Sequence, residues 1–317
     1  MTEKQVFRIV FTVLINLAAC LGFVSCHPTQ LSIAKPPARS IATTRTPFQA
    51  QSPTSRPTST FTPTSTNTPT GAPSDTPDPC LFRQGQIESH TVEFSNPAVL
   101  TFRVYLPPCY GAQDGYRYPV LYLIHGQTFK DDQWDRLGID EAADTLITEQ
   151  ESPPFLIVMP LEADTFEDIF TASFRNDLVE GLVPWIDANY PTCTERICRA
   201  IGGLSRGGAW ALHLGFTHWE IFGAIGLHST PPFTGDPNRL AGWLKQIPAD
   251  QVPRIYMDTG KRDRFLNETS QFEQLLVQYG VPHEWYLFNG THEEAYWSAH
   301  VSDYLAWYTQ PWKNFGQ

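Results

Sequence analysis

Short, strongly apolar segments that alternate with helix-length stretches restrict this chain to few folds. Two such segments, 118–125 and 155–159, are typical of strands that are buried on both faces of a sheet. Parallel strands need a crossover connection, usually a helix, so the alternation predicts a mostly parallel sheet with helices on both faces. Two further predicted strands, 86–95 and 98–107, form an antiparallel hairpin at the start of this sheet.

The rest of the chain continues the alternation of strands and helices. Predicted strands end at Leu204 and span 221–228, 254–259 and 284–288, and predicted helices span 134–149, 172–189, 206–218, 268–279 and a segment that begins near 293. The expected fold class is therefore α/β.

Residues 1–26 have the pattern of an export signal. A charged start precedes an apolar run at 9–24, which matches the n-region and h-region of such signals. Cys20 ends a Leu-Ala-Ala-Cys sequence that resembles the lipobox of bacterial lipoproteins, and Cys26 is a looser second candidate for lipidation. We expect a lipid anchor. A cleaved signal or an uncleaved membrane anchor is the alternative, and all three put the rest of the chain outside the cytoplasm.

The segment 27–79 is rich in threonine, serine and proline. Between Ser52 and Thr70, 16 of 19 residues are of these three types. Such a stretch has almost no apolar surface to bury, and its prolines keep the backbone extended. We interpret it as a disordered, exposed linker; a regulatory tail with phosphorylation sites is the alternative.

The remaining residues, 80–317, are predicted to form one domain of 238 residues. They contain 16 Lys and Arg against 30 Asp and Glu, so this part of the chain has a net charge of −14. Nucleic-acid phosphates must be met by an excess of Lys and Arg. The acidic balance therefore argues against a nucleic-acid partner.

Four cysteines remain in this domain, and an even number in an exported protein predicts two disulfides. Cys193 and Cys198 are close enough in sequence to close a short loop, which by elimination pairs Cys80 with Cys109. Zinc binding is the alternative, but the spacing includes no Cys-x-x-Cys pair.

The sequence Gly203-Leu204-Ser205-Arg206-Gly207-Gly208 lies between a predicted strand and a predicted helix. A strand, a sharp turn and a helix around Gly-x-Ser-x-Gly form the nucleophile elbow of hydrolases. The glycines let the strand and helix approach closely, and the helix N-terminus offers free N–H groups to a developing negative charge. We therefore expect Ser205 to be a catalytic nucleophile; a plain glycine-rich turn is the alternative.

A serine hydroxyl needs a histidine base that a carboxylate orients. In α/β hydrolases the acid and then the histidine follow the serine along the chain. His292 comes directly after the last predicted strand, at the same sheet edge as Ser205, and is the expected base. Asp263 lies past the Gly260 bend, within reach of His292, and is the expected acid. Asp258, in or next to the preceding strand, is the alternative acid.

The remaining site residues follow from the same topology. The backbone N–H groups of Gln127 and Arg206 are the expected oxyanion hole. Trp134, Phe233 and Trp297 are candidates for the wall of a substrate pocket. Only 24 residues, 230–253, separate two core strands where a lid is often inserted, so we predict no large lid. Metal-ligand and nucleotide-binding spacings are absent, so we expect neither a metal nor a cofactor.

At these residues the chain resembles the esterase family of α/β hydrolases, which includes esterase D-like enzymes, feruloyl esterases, enterochelin esterases and mycolyltransferases. The resemblance covers roughly residues 85–310, and its matching features are 118–126, Trp134, 203–208, Gly260 with Asp263, and Gly290-Thr291-His292 with Trp297. Two positions depart from the family: Arg206 stands where a hydrophobic residue is commoner, and Glu293-Glu294 replaces a frequent Asp-Trp.

The resemblance implies an α/β-hydrolase fold and a serine carboxylester hydrolase that works through an acyl-enzyme with a Ser-His-Asp triad. The expected substrates of this enzyme are acylated sugars or small or aromatic esters. The enzyme is expected to act on them outside the cytoplasm, at the cell envelope. Acyl transfer, as in mycolyltransferases, and a catalytically silent binding module on the same fold are the alternatives.

Overall fold

The computed structural model of the chain describes residues 79–94 and 99–314. All of them belong to one unit, Gly71–Gln317. The predicted export signal, the predicted linker up to residue 78 and the candidate lipidation sites Cys20 and Cys26 lie outside the described residues.

One eight-stranded sheet runs through the described residues in the order β1-β2-β4-β3-β5-β6-β7-β8. The strands are β1 Gln86–Glu93, β2 Val99–Leu106, β3 Val120–Ile124, β4 Leu156–Pro160, β5 Arg199–Leu204, β6 Ala224–His228, β7 Arg254–Gly260 and β8 Glu284–Phe288. β2 pairs antiparallel with both β1 and β4, and all other neighbours are parallel. The predicted α/β fold with an antiparallel entry is confirmed.

Side chains of β3 point alternately into two separate cores. Val120, Tyr122 and Ile124 pack into one core, whereas Leu121 and Leu123 pack into the other. Successive residues of a strand face opposite sides of the sheet, so both faces of β3 are covered. This double burial explains why the strand appears in the sequence as an uninterrupted apolar run rather than an alternating one.

Helices supply the two covering layers. They are α1 Gln133–Arg136, α2 Ile139–Thr148, α3 Phe174–Asn176, α4 Val183–Asn189, α5 Arg206–Thr217, α6 Asp236–Leu244, α7 Leu266–Gln278, α8 Glu294–Ser298 and α9 Val301–Thr309, and a π-helical segment, Asp177–Leu182, joins α3 to α4. α4 and α5 pack on one core, and α2 and α9 pack on the other. Among residues 79–94 and 99–314, none of these helices has the length and apolar character needed to cross a membrane.

Two helices that were predicted to be continuous are each divided in the structure. The one predicted at 134–149 is split into α1 and α2 by Gly138, whose φ of 86° is left-handed. Glycine adopts this conformation without a steric penalty, so the chain can turn sharply there. The predicted terminal helix is likewise divided, into α8 and α9, at Ala299 and His300.

Two disulfides close loops at the margins of the sheet. Cys80 pairs with Cys109, 29 residues apart, and Cys193 pairs with Cys198, 5 residues apart. These are the two pairings expected from the sequence. The first ties the segment before β1 to the residues that follow β2, and the second closes a short loop before β5.

Removing the Cys80–Cys109 disulfide should destabilise the protein more than removing Cys193–Cys198. Chain entropy in the unfolded state gives about 3–4 kcal/mol for the longer loop and about 2 kcal/mol for the shorter. Urea unfolding of the two Cys-to-Ser double variants, followed by circular dichroism, measures this difference. An equal or larger loss from the Cys193–Cys198 variant would contradict the loop-length argument.

Candidate active site

Ser205 occupies the sharp turn between β5 and α5 in a strained backbone conformation. Its φ of 54° and ψ of −120° lie outside the regions that residues with a side chain usually adopt. A Cβ at Gly203 would collide with the backbone of Gly207, and a Cβ at Gly207 would collide with the carbonyl oxygen of Ile124. Helix α5 can therefore lie this close to β5 and to the end of β3 only because both positions are glycine.

A continuous hydrogen-bond chain joins Ser205, His292 and Asp263. The Ser205 hydroxyl lies 2.8 Å from Nε2 of His292, and Nδ1 of His292 lies 3.1 and 3.0 Å from the two carboxylate oxygens of Asp263. A carboxylate only accepts hydrogen bonds, so Nδ1 carries the proton and Nε2 is free to accept one from the hydroxyl. The geometry is that of a nucleophile, a base and an orienting acid.

The three side chains converge because the strands before them are parallel. Ser205 follows β5, Asp263 follows β7 and His292 follows β8. The carboxyl ends of parallel strands meet at one edge of a sheet, where open α/β folds carry their ligand sites.

The environment of Asp263 keeps its carboxylate charged. Burial raises the pKa of Asp263, but hydrogen bonds from His292 and from the Phe265 backbone N–H lower it. The lowering outweighs the effect of burial, so the net pKa lies below the ordinary value. The carboxylate is therefore ionised throughout the neutral range and remains available to the imidazole.

Two aromatic rings fix the plane of the His292 imidazole. Phe265 meets it edge-on at 4.9 Å between ring centroids, and Trp297 meets it edge-on at 5.0 Å. His292 is itself largely enclosed, with 6% of its side chain exposed. The imidazole therefore has little freedom to swing away from the Ser205 hydroxyl.

Asp258, the alternative acid, belongs to a separate buried network. Its carboxylate lies 2.8 Å from Nδ1 of His228 and accepts hydrogen bonds from the hydroxyls of Tyr296 and Tyr304 at 2.5 and 3.0 Å. Burial, reinforced by the negative charge of Asp258, raises the pKa of Tyr304 well above its ordinary value. The network supports the elbow, because the His228 carbonyl accepts the Ser205 N–H at 2.9 Å.

Gln127 and Arg206, the expected oxyanion donors, both line the same cavity as Ser205. The N–H of Gly126 is already committed to Oε1 of Gln133 at 2.8 Å. The N–H groups of Gln127 and Arg206 donate to no other residue in the described part of the chain. Two unused backbone donors thus lie beside Ser205, the kind of arrangement that can stabilise an oxyanion.

The cavity beside Ser205 has a volume of about 470 Å³ and a strongly aromatic lining. Phe129, Phe233, Phe265 and Trp297 contribute rings to its wall. The short segment 230–253, which contains α6, contributes Phe233 and its neighbours and adds no large lid.

Trp134 is not part of this cavity, contrary to the sequence prediction. It is 1% exposed, its indole N–H donates to the Ile124 carbonyl at 3.1 Å, and its ring packs edge-on against His228 and Tyr304. Its position on α1 turns it inward under the sheet edge. The aromatic residues that do line the cavity and were not predicted are Phe129 and Phe265.

The structure adds one charged residue that the sequence reasoning missed. Glu162, 2% exposed, binds the guanidinium of Arg206 and the indole N–H of Trp210. A lone glutamate after a strand has no sequence spacing that marks it. The departure of Arg206 from the family pattern was the available signal, because a charged guanidinium at a position that is commonly apolar needs an acidic partner. Within 79–94 and 99–314 no group of three acidic, histidine or cysteine side chains has the arrangement of a metal site.

Comparison with protein families matches residues 97–308, more than half of the chain, to the Esterase family, described as "Putative esterase". The chain belongs to this family. The esterase-family resemblance seen in the sequence is therefore confirmed, and the matched segment contains Ser205, Asp263 and His292.

Two curated proteins with related sequences carry esterase names. An endo-1,4-beta-xylanase/feruloyl esterase of Xylanibacter ruminicola is 37% identical over 141 residues, 41% of this chain and 19% of that protein. An esterase of Mycobacterium tuberculosis is 32% identical over 147 residues, 43% of this chain and 29% of that protein. The chain thus spans less than a third of the length of either relative.

Solved structures of esterases share the fold of this family member. A ferulic acid esterase is 24% identical with a TM-score of 0.64, covering 72% of this chain and 100% of that one. The feruloyl esterase module from Clostridium thermocellum, complexed with sinapinate, is 19% identical with a TM-score of 0.64, covering 76% of this chain and 95% of that one. The predicted α/β-hydrolase fold is thereby confirmed.

Proposed function

We propose that this esterase-family protein is a serine carboxylester hydrolase with Ser205, His292 and Asp263 as its catalytic triad. One observation carries the proposal: an unbroken hydrogen-bond chain from the Asp263 carboxylate through His292 to the Ser205 hydroxyl, facing a cavity. The Ser205–His292 link has the geometry that proton transfer during nucleophilic attack needs, and the Asp263–His292 link holds the imidazole in the tautomer that accepts the proton. The complete triad argues against a catalytically silent binding module.

Acylation of the enzyme is the first half of the reaction. Ser205 Oγ attacks the ester carbonyl carbon while Nε2 of His292 takes the hydroxyl proton. The N–H groups of Gln127 and Arg206 donate to the oxyanion that forms. The tetrahedral intermediate then collapses, the ester C–O bond breaks, and the alcohol leaves with the proton from His292.

Deacylation repeats these steps with water. His292 takes a proton from water, and the hydroxide attacks the acyl carbon of the serine ester. The Ser205 C–O bond breaks, the serine regains its proton from His292, and the carboxylic acid departs. Asp263 remains ionised throughout and stabilises the imidazolium at each stage.

The aromatic wall of the cavity favours esters with an aromatic or short acyl group. The rings of Phe129, Phe233, Phe265 and Trp297 offer flat apolar surfaces on which an aryl acyl group can pack. Structural neighbours named as feruloyl esterases have sinapinate or ferulic acid bound, which supports the same class. The alcohol is then a sugar or another small hydroxyl compound, as expected from the sequence.

We further propose that the reaction takes place outside the cytoplasm, with the domain held by an N-terminal lipid anchor. The two disulfides support export, because cytosolic thiols are kept reduced. The anchor rests on the sequence pattern at Cys20 and Cys26.

Assays of the purified protein with p-nitrophenyl acetate, p-nitrophenyl butyrate and methyl ferulate test the proposed activity. We expect turnover of all three, with an initial burst of p-nitrophenol when deacylation is slower than acylation. Added sugar alcohols should change the product mixture only slightly, since water is the acceptor. Absence of turnover, or transfer of most acyl groups to the sugar alcohol, would contradict the proposal.

A further inference from the structure

Glu162 connects the loop after β3 to the start of helix α5, the two segments beside Ser205. It follows the end of β4 by two residues, and its side chain is 2% exposed. Its backbone N–H contacts His125 in the loop after β3, and its carboxylate contacts Arg206 at the start of α5. A single residue therefore connects both segments that carry the oxyanion donors of the proposed reaction.

The backbone of Glu162 holds the Gln127 loop through His125. The Glu162 N–H donates to Nε2 of His125 at 2.9 Å, so this nitrogen is an acceptor and the ring proton sits on Nδ1. Nδ1 donates in turn to the Gly126 carbonyl at 2.8 Å. Burial lowers the pKa of His125, which keeps the ring in this neutral form. The peptide group before Gln127 is thereby fixed.

The carboxylate of Glu162 holds the other donor segment through the side chain of Arg206. Nε and Nη2 of Arg206 donate to it at 2.9 and 2.6 Å, and the indole N–H of Trp210 donates to the same carboxylate at 2.7 Å. Arg206 and Trp210 both belong to α5, and the guanidinium also lies 5.3 Å from the Phe233 ring. The first turn of α5 is thus clamped from outside the helix.

We propose that Glu162 is a positioning residue for the oxyanion hole. This inference rests on the proposed function, since it assumes that the N–H groups of Gln127 and Arg206 bind the oxyanion. Both donors must lie about 2.7–3.1 Å from that oxygen, so a small change in their separation weakens transition-state stabilisation while substrate binding is little affected. Glu162 sets this separation because it is hydrogen-bonded both to His125, in the loop that carries Gln127, and to Arg206.

A purely structural ion pair is the competing explanation. Replacing a buried ion pair by apolar residues is often neutral for stability, so the pair alone says little about its role. The two explanations differ in kinetics. A structural role affects the free energy of unfolding, whereas a positioning role lowers kcat with little change in KM and weakens inhibitors that form an oxyanion.

The test compares wild type with Glu162→Gln, Glu162→Leu/Arg206→Met and Ser205→Ala on p-nitrophenyl butyrate. Glutamine keeps the shape and the backbone contact to His125 but loses the paired acceptors, and the double variant replaces the ion pair by an apolar pair that leaves no unpaired charge. For both we expect kcat to fall about 10–100-fold with KM within about threefold. The inhibition constant of a trifluoromethyl ketone, which forms a hemiketal oxyanion with a serine, should rise by a similar factor.

Asp187→Asn is the matched control. Asp187 forms an ion pair with Arg199 at the opposite end of β5 from Ser205. We expect this variant to lose stability and keep wild-type kcat. Wild-type kcat and inhibition constants in both Glu162 variants, with Ser205→Ala inactive, would overturn this inference alone. An equal fall of kcat in Asp187→Asn would also overturn it, and full activity of Ser205→Ala would overturn both this inference and the proposed function.

Discussion

Replacing Ser205 by alanine should lower kcat/KM for p-nitrophenyl butyrate by about 10⁴-fold or more. The change removes the oxygen that forms the acyl-enzyme in the proposed reaction, and the remaining oxyanion donors and binding contacts should supply only residual catalysis. Steady-state hydrolysis with the purified wild-type and variant proteins measures the effect. The fold should survive, because alanine has the same Cβ as serine at the strained φ of 54°. In addition, the Ser205 side chain bonds only His292 among the described residues.

Ser152→Ala is a suitable control for this experiment. Ser152 is also buried, but it lies before β4, at the opposite end of the sheet from the cavity, and its hydroxyl donates to the Pro153 carbonyl. We expect it to keep wild-type activity. Comparable rates in Ser205→Ala and wild type would show that another group is the nucleophile.

Replacing Asp263 by asparagine should lower kcat by about 10³–10⁴-fold with the fold retained. The amide can present its NH₂ group to Nδ1 of His292, which forces the imidazole into the tautomer whose Nε2 cannot accept the Ser205 proton. Stopped assays at pH 7 with thermal unfolding as the fold control measure this. Asp258→Asn, made in parallel, should lose stability and lower kcat far less, because its partners are buried tyrosines and His228.

The pH dependence follows from the direction of the Asp263 shift. Its folded pKa lies below the ordinary value of 3.8, so the carboxylate stays charged as pH falls to that value. The stabilisation that the charged carboxylate contributes is present above the ordinary pKa and is lost as pH falls from there through the folded pKa. Above about pH 5 Asp263 should therefore add no protonation step to the rate profile, and the acid side of the profile should not reach a slope of two there. A slope of two, or a larger kcat loss in Asp258→Asn than in Asp263→Asn, would contradict the assignment of the acid.

The elbow could be predicted because its determinants are local. Gly203, Ser205 and Gly207 lie within five consecutive residues, and the strain at the serine and the close helix approach depend on just these residues. His292 and Asp263 could be predicted from topology, since residues that follow parallel strands share a sheet edge. The order of strands along the chain was thus sufficient to predict that these three residues, which are distant in sequence, lie close together.

Features that depend on long-range packing could not be predicted from the same patterns. An aromatic residue after a strand gives no indication of whether it faces the cavity, like Phe129, or the core, like Trp134. Glu162 has a role only because Arg206 and Trp210, more than 40 residues further on, meet its carboxylate. The break at Gly138 was missed because a single glycine is tolerated inside many helices.

Covalent labelling with a fluorophosphonate probe, mapped by peptide mass spectrometry, tests the central claim most directly. The probe reacts with serine nucleophiles that a neighbouring base activates, so it reports the triad independently of substrate choice. We predict one adduct per molecule on Ser205 in the wild-type protein, slower labelling in Asp263→Asn and none in Ser205→Ala. An adduct on a different residue, or labelling that persists in Ser205→Ala, would contradict the proposed mechanism.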